Sequence, residues 1–362
     1  MSAASPFQIR VQSSWSAVDP VWRELARSGG ATPFQTPGFL DAWYASYGAD
    51  ATPVIVEVWR GDQPAMMLPL ALKDGVIGFA DAGISDNNAP VAGPALPARA
   101  GMKALWPAIR RALPGASLLR LEKQPETVDG KENPMLGVGT PRPSPLSAHP
   151  LSMGDSFEDY SRSRTTKFRK EQERVWRVFT RNEGARFDLI ADPAQAVAIL
   201  TDMDRLQAAR MSELGIDAQV GGAAYTAHYR HLVQHAIGGD AVLGALICNG
   251  ETVGALLGVS GGGTVTFVRL AHAGGDWATT SPGRLVIEQT LMALHAGGVR
   301  RFDFSVGDYA YKENFRIGHA PLFDAAMPLS LAGKIKAARI NLRAALRQSP
   351  LARRLLGKTK DV

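Results

Sequence analysis

Residues Thr264–Phe315 read TVTFVRLAHAGGDWATTSPGRLVIEQTLMALHAGGVRRFDFSVGDYAYKENF. The first nine, rich in β-branched and aromatic side chains, predict a strand over Thr264–His272. Ser281 and Pro282 pair a capping residue with a proline suited to the first helical position, and the apolar period of RLVIEQTLMALHA carries that helix to Gly297. A second strand is predicted over Val299–Val306, where Phe302, Phe304 and Val306 alternate with Arg301, Asp303 and Ser305. A helix that starts directly after a strand presents unpaired N–H groups and the positive end of its dipole, an arrangement that binds pyrophosphate. Here Gly283 lets a ligand approach the backbone and Arg284 adds a cation; the competing reading is a plain capped helix.

Upstream lie AVLGALIC (Ala241–Cys248), an Asn249-Gly250 turn and ETVGALLGVS (Glu251–Ser260), two strands joined as a hairpin. The first half repeats the order. TPVIVEVW (Thr52–Trp59), PAMMLPLALK (Pro64–Lys73) and GVIGFA (Gly75–Ala80) are three strands, followed by a helix around Ala98–Leu113 and the strand SLLRLEK (Ser117–Lys123). Three strands, a helix and a strand in each half make a duplication of pattern, not of residue identity. Between the halves, Thr127–Pro150 carries five prolines and reads as a linker or a surface loop near a site. Three helices are expected ahead of the second strand set, over roughly 156–181, 192–215 and 223–237. The division expected is therefore 1–126, a proline-rich linker or loop 127–150, 151–330 and a basic amphipathic tail 331–362, of α+β class with mixed, mostly antiparallel sheets flanked by helices.

The 362 residues, 45 % hydrophobic and 20 % charged, suit two globular domains and exclude disordered and collagen-like classes. One cysteine, Cys248, excludes a disulfide scaffold. No apolar run reaches the about 20 residues a spanning helix needs, and the first residues show no signal-peptide pattern. The net charge of +6 is unevenly placed. Residues 331–362 hold nine basic side chains against Asp361, and residues 160–181 hold eight against Glu171 and Glu173, so the remainder is acidic by eight. In 331–347, Leu331, Ile335, Ala338, Leu342 and Ala345 form one stripe and five cations another, which suits a basic amphipathic helix on an anionic membrane. A helix packed on the body with a basic tail is the alternative. Nucleic acid is not expected, because no aromatic residues interleave with the basic runs as a stacking surface requires.

Motifs for ATP hydrolysis, zinc proteolysis and dinucleotide binding are absent from the sequence. Gly258-Val259-Ser260-Gly261-Gly262 fits G-x-S-x-G, yet a hairpin turn follows where a nucleophile elbow needs a helix. The histidines show no metal-ligand spacing, and no metal is expected.

The segments FQTPGFLDAWYASYG (Phe34–Gly48), SRTTKFRKEQERVWRV (Ser163–Val178), TSPGRLVIEQTL (Thr280–Leu291) and GVRRFDFSVGDYAYKENF (Gly298–Phe315) stand together in this chain. Together they resemble the CelD-like acetyltransferases, a branch of the GNAT acyl-CoA N-acyltransferase superfamily related to the Fem-type peptidoglycan ligases. The most specific part is F-D-F-x-x-G-D-x-x-Y-K, Phe302 to Lys312. The resemblance implies tandem GNAT-like domains and an acyltransferase in which an amine attacks the thioester of acyl-CoA directly. It implies that the strand Thr264–His272 gives a backbone N–H to the carbonyl and that Ser281, Gly283 and Arg284 hold the pyrophosphate. This turn departs from the Q/R-x-x-G-x-G/A loop of standard GNAT enzymes. Asp308, His272 and Tyr311 are candidates for the base that the ammonium nucleophile requires. Lys312 is expected either on a phosphate or anchoring the Asp308 loop. Asp86 and Asn88 are placed at the acceptor pocket, and Arg164 and Arg169 face an anionic ligand or a solvated surface. The acceptor expected is a lipid amine, as in sphingolipid-type N-acylation, or an envelope polysaccharide amine. The site of action expected is cytoplasmic, peripheral on the inner membrane face. Two alternatives stand: a non-catalytic GNAT-fold binding protein of an envelope polysaccharide system, and Fem-like aminoacyl transfer.

Overall fold

A computed structural model describes residues 7–213, 215 and 221–348. The first unit runs β1 (Phe7–Gln12), α1 (Asp19–Arg27), α2 (Pro37–Tyr47), β2 (Thr52–Arg60), β3 (Gln63–Lys73), β4 (Val76–Phe79), β5 (Val91–Ala92), α3 (Arg99–Ala112) and β6 (Leu118–Pro125). A small hairpin, β7 (Thr127–Val128) with β8 (Lys131–Glu132), and an edge strand β9 (Arg142–Ala148) complete it. The second unit runs β10 (Pro150–Ser152), α4 (Phe157–Ser163), α5 (Thr166–Phe179), β11 (Arg186–Ile190), α6 (Pro193–Glu213), α7 (Ala223–Ala236), β12 (Ala241–Cys248), β13 (Glu251–Gly261), β14 (Thr264–His272), α8 (Pro282–Ala296) and β15 (Arg301–Asp303). The chain then returns to the first sheet as β16 (Ala320–Pro328) and ends in α9 (Leu331–Gln348).

The duplication is visible in the sheets. The first has the order β1-β2-β3-β4-β6-β16-β9, the second β10-β15-β14-β13-β12-β11. In each, three consecutive antiparallel strands meet a fourth that is parallel and arrives through a helix. β4 pairs with β6 only at residues 76–78 against 118–120, and β14 with β15 only at 264–266 against 301–303. Beyond those three residues each pair splays.

Strands β2, β3 and β13 are nearly all apolar because both faces of their sheets are covered. Their alternation sends Val54, Val56 and Val58 to a core under α3 while Ile55 enters a core shared by both units. The shared core takes Trp22, Phe34, Phe39 and Trp43 from the first unit and Met203, Leu232, Leu243 and Leu257 from the second. Polar contacts reinforce it: Asp240 caps α2 from the other unit, its Oδ2 accepting the Gly38 N–H at 2.7 Å. The two units therefore cannot separate without exposing that core.

Three sequence expectations change here. Residues 127–150 are not a free linker, since Met135 and Val138 are buried in the first core and β9 is a sheet edge. Residues 320–328, expected with the second unit, are a strand of the first sheet, where Leu322 and Ala325–Pro328 pair with β6. The helix expected to run unbroken to about Arg181 is two, α4 and α5, separated at Arg164 and Thr165. No helix among the described residues is long and apolar enough to cross a membrane.

Candidate active site

The splay between β14 and β15 is created by two local features. On the β13 side of β14 the register passes from Leu257 opposite Arg269 to Gly258 opposite Phe267, leaving Val268 as an extra residue in a bulge. A bulge takes one residue out of the ladder and re-aims the backbone around it. On the other side β15 stops at Asp303, because Ser305 adopts the left-handed conformation at φ 66° and turns the chain away. That conformation is uncommon for a serine and persists only where neighbours hold it.

The residues of F-D-F-x-x-G-D-x-x-Y-K supply those neighbours. Asp303 Oδ1 accepts the Ser305 N–H at 2.8 Å. Lys312 Nζ donates to the carbonyl oxygens of Ser305 at 3.0 Å, Val306 at 3.3 Å and Gly307 at 2.7 Å. His149 Nδ1 donates to the same Ser305 oxygen at 2.8 Å, and the Ser305 hydroxyl meets the Asp86 carboxylate. Lys312 is only 1 % exposed, and burial brings its pKa down to about 8 although Asp303, Asp86 and Asp308 oppose that shift. Of its two expected roles, the geometry is that of the loop anchor, with the ammonium on three carbonyls.

Between the splayed strands lies a cavity of about 400 Å³. Val268, Leu270 and His272 of β14, Ser305 and Val306, the rings of Tyr309 and Tyr311, and Gln207 and Arg210 of α6 line it. Burial raises the Tyr311 phenol above the ordinary range, keeping it protonated at neutral pH. Asp86 reaches Ser305 from the first unit, between Lys123 on one side and Asp81 and Asp303 on the other. Loss of water pushes its pKa up to about 6 against the pull of Ser305 and Lys123. A carboxylate with that pKa is ionised at pH 7 yet basic enough to accept a proton.

His272 also lines the cavity, at the end of β14. Its Nδ1 lies 3.1 Å from the Ala273 carbonyl oxygen and its ring lies over Gly283, where a Cβ would be 2.7 Å from His272 Cδ2. Glycine is therefore required at 283 by the imidazole. At the start of α8, Ser281 has φ 45° and its hydroxyl accepts from Arg284 Nη2 at 2.8 Å. Pro282 has no N–H, and the Arg284 and Leu285 amides fold back onto the Ser281 carbonyl. What this turn offers an anion is chiefly the Arg284 guanidinium; on α5 beside it, Arg174 is bound to both oxygens of Glu171 at 2.9 and 2.8 Å and reaches the Thr279 carbonyl oxygen at 3.4 Å, and Glu171 is close enough to Arg284 to feel its charge.

The remaining sequence candidates lie elsewhere. Asp308 is 84 % exposed and rests on His149 Nε2 at 3.0 Å, outside the cavity lining. Arg164 is buried, its guanidinium on both oxygens of Glu288 and beside the rings of Tyr160 and Phe168, so no charge is left for a ligand. Asn88 is 1 % exposed; its Oδ1 accepts from Ser85 Oγ, and its Nδ2 donates to Asp81 and the Glu122 carbonyl, shaping the Asp86 loop from within. Arg169 is half-buried on α5. Sequence reasoning missed Ser305, His149 and Val268; Ser305 lies inside the motif, but nothing in a serine announces a positive φ.

Residues 166–313 match a family model. Its description is an acetyltransferase (GNAT) domain, and the matched span holds both splayed strands, α8 and the Lys312 loop. Among solved structures, FemX aligns with TM-score 0.60 at 9 % identity over 84 % of this chain and 95 % of that one. A chain described as the C-terminal domain of a lysylphosphatidylglycerol synthetase from Agrobacterium fabrum aligns with TM-score 0.53 at 10 % identity, over 91 % and 97 %. L-PGS from Bacillus licheniformis aligns with TM-score 0.53 at 11 % identity, over 90 % and 96 %. At such identities these likenesses show a common fold. No curated protein matches the chain. The GNAT-type domain is thus the second unit, and the first unit repeats its strand order.

Proposed function

We propose that the chain is an acyl-CoA-dependent N-acyltransferase whose transfer site is the β14–β15 splay. The observation that carries this is the Val268 bulge opposite the Ser305 turn, which opens a lined cavity beside the α8 start. In this reading the backbone around Val268 donates to the thioester carbonyl oxygen, where negative charge grows during transfer. Asp86 takes a proton from the acceptor's ammonium, through the Ser305 hydroxyl or directly, leaving the neutral amine that attacks, and Tyr311 gives a proton to the departing sulfur and regains one from the nitrogen of the new amide. The new bond is carbon to nitrogen, the broken one carbon to sulfur, and the products are an amide and a free thiol. His272, pressed on Gly283, fixes where the carrier passes from cavity to α8.

Within the superfamily the Phe302–Lys312 motif favours the CelD-like branch, and a lipid amine or an envelope polysaccharide amine as acceptor, reached at the cytoplasmic face of the membrane. Arg210, exposed at the cavity, suits an acceptor that carries an anion beside its amine. The test is a melting shift with acyl-CoAs of two to sixteen carbons, followed by thiol release with long-chain and amino-sugar amines. Stabilisation and acceptor-dependent thiol are expected; absence of both with every chain length removes the reading.

One observation favours a second donor. The inward-folded amides at α8 leave little backbone for a pyrophosphate, and FemX shares the fold. An aminoacyl ester carried on RNA would use the same splay. Stabilisation by aminoacyl-tRNA with none by any acyl-CoA selects it.

A further inference from the structure

Helix α9 lies on the first sheet, against β16 and β6, through a face of small residues. Gly333 and Ala337 are buried and Ile340 half-buried, at a spacing of four and three. The approach is close: a Cβ on Gly333 would lie 1.7 Å from the Ser117 carbonyl oxygen, and Lys336 Nζ reaches Ser117 Oγ at 3.1 Å. The sequence pattern leaves open whether the larger apolar stripe of this helix packs on the body. It does not. Leu331 is 78 % exposed, Ile335 60 % and Leu342 61 %. Seven large apolar side chains are exposed among the described residues, and three of them stand on this one helix.

At about 100° per residue, Leu331, Ile335, Ala338 and Leu342 fall within roughly 60° of one another, on the side opposite Gly333, Ala337 and Ile340. Exposed Lys334 and Arg339 border the stripe on its two sides. The segment 331–348 has five cations, no acid and no aromatic residue. Pairing with a second copy would bring five positive charges against five, and nucleic acid would leave the Leu and Ile side chains uncovered. An anionic bilayer covers both at once, with the apolar stripe among acyl chains and the cations at headgroup level.

We propose that the outward face of α9, Leu331, Ile335 and Leu342 flanked by Lys334 and Arg339, docks the protein on an anionic lipid surface. Docking adds a partner beyond the transfer reaction and does not depend on it. The test is flotation of the full chain with vesicles of phosphatidylcholine alone and with phosphatidylglycerol added. Binding is expected only with the anionic lipid and is expected to weaken with salt. The variant Leu331→Ser, Ile335→Ser, Leu342→Ser loses at least tenfold in partitioning, and Lys334→Gln loses roughly fivefold, as does Arg339→Gln. These side chains are exposed, so melting stays unchanged and reports that the fold is intact. Flotation unaltered by the triple variant overturns the proposal. So does equal binding to neutral vesicles, tighter binding to duplex DNA, or a dimer that the triple variant dissolves. Acyl-CoA melting shifts on the same proteins keep the transfer reading separate, since loss of flotation leaves them in place.

Discussion

Replacing Lys312 by Met keeps most of the stem and removes the ammonium that holds three carbonyls and, through them, the left-handed Ser305. A hydrogen bond from a charged donor contributes about 1.5–3 kcal/mol. Here the gross loss is offset on two sides. The carbonyls of Val306 and Gly307 sit in a half-exposed segment where water replaces part of the donor, and the ammonium is itself costly to bury, as its pKa of about 8 shows. Net destabilisation is therefore about 1–2 kcal/mol, a fall in Tm of roughly 2–8 °C for a unit of this size. The activity effect is larger. Without Lys312 the strain at Ser305, on the order of 1–2 kcal/mol, is free to relax toward extended backbone, letting β15 lengthen along β14 and narrow the cavity. Misplacement by about 1 Å can cost 10²-fold, so kcat/KM per folded molecule drops by well over tenfold. Melting by circular dichroism and thiol release on the same sample separate the two quantities. Unchanged activity per folded molecule, at whatever cost in Tm, refutes the argument that this lysine holds the splay open.

Asp86→Asn removes the proposed base: wild-type kcat/KM rises with pH through about 6, and the variant loses that limb and falls 10²-fold or more. Its stability has the opposite sign. A carboxyl raised from 3.8 to about 6 binds its proton more tightly in the folded state, so wild-type stability declines as pH rises between those values and the variant flattens the decline in urea titrations. Gly283→Ala forces the His272 ring aside, raises the KM for acyl-CoA about tenfold at a cost near 1 kcal/mol, and is relieved by adding His272→Ala. Arg164→Met strands Glu288 in the interior and costs about 3–5 kcal/mol by chemical denaturation, while Arg164→Met with Glu288→Met recovers most of it. Activity per folded molecule is unaffected in that double variant, because the pair lies outside the cavity lining.

Much of the fold was legible because the strands advertise themselves. β2, β3, β12, β13 and β14 are runs of branched and apolar residues between glycine turns, and Pro282 marked the start of α8. The return of β16 to the first sheet was not legible, since pairing over 190 residues depends on which edge is free and not on anything local to Ala320–Pro328. β15 is three residues and not eight, because alternation in Val299–Val306 continues past the point where Ser305 turns. At the site, His272 and Tyr311 line the cavity and Asp86 lies on the facing loop. Arg164 was misread because a buried guanidinium and a solvated one look alike until the partner carboxylate, 124 residues away, is known. Asp308 stands outside the cavity lining on His149, which belongs to the stretch read as a linker or a surface loop near a site.

The central claim is that transfer occurs in the β14–β15 gap of the GNAT-type unit. A crystal structure with a non-hydrolysable thioether analogue of acyl-CoA tests it directly. The account predicts the acyl end between Val268 and Ser305 and the phosphates toward Arg284 and α5. The first unit holds a rival cavity of about 460 Å³ at the β4–β6 splay, lined by Trp43, Tyr47, Arg120 and Lys123. The analogue bound there, with the β14–β15 gap empty, contradicts the account.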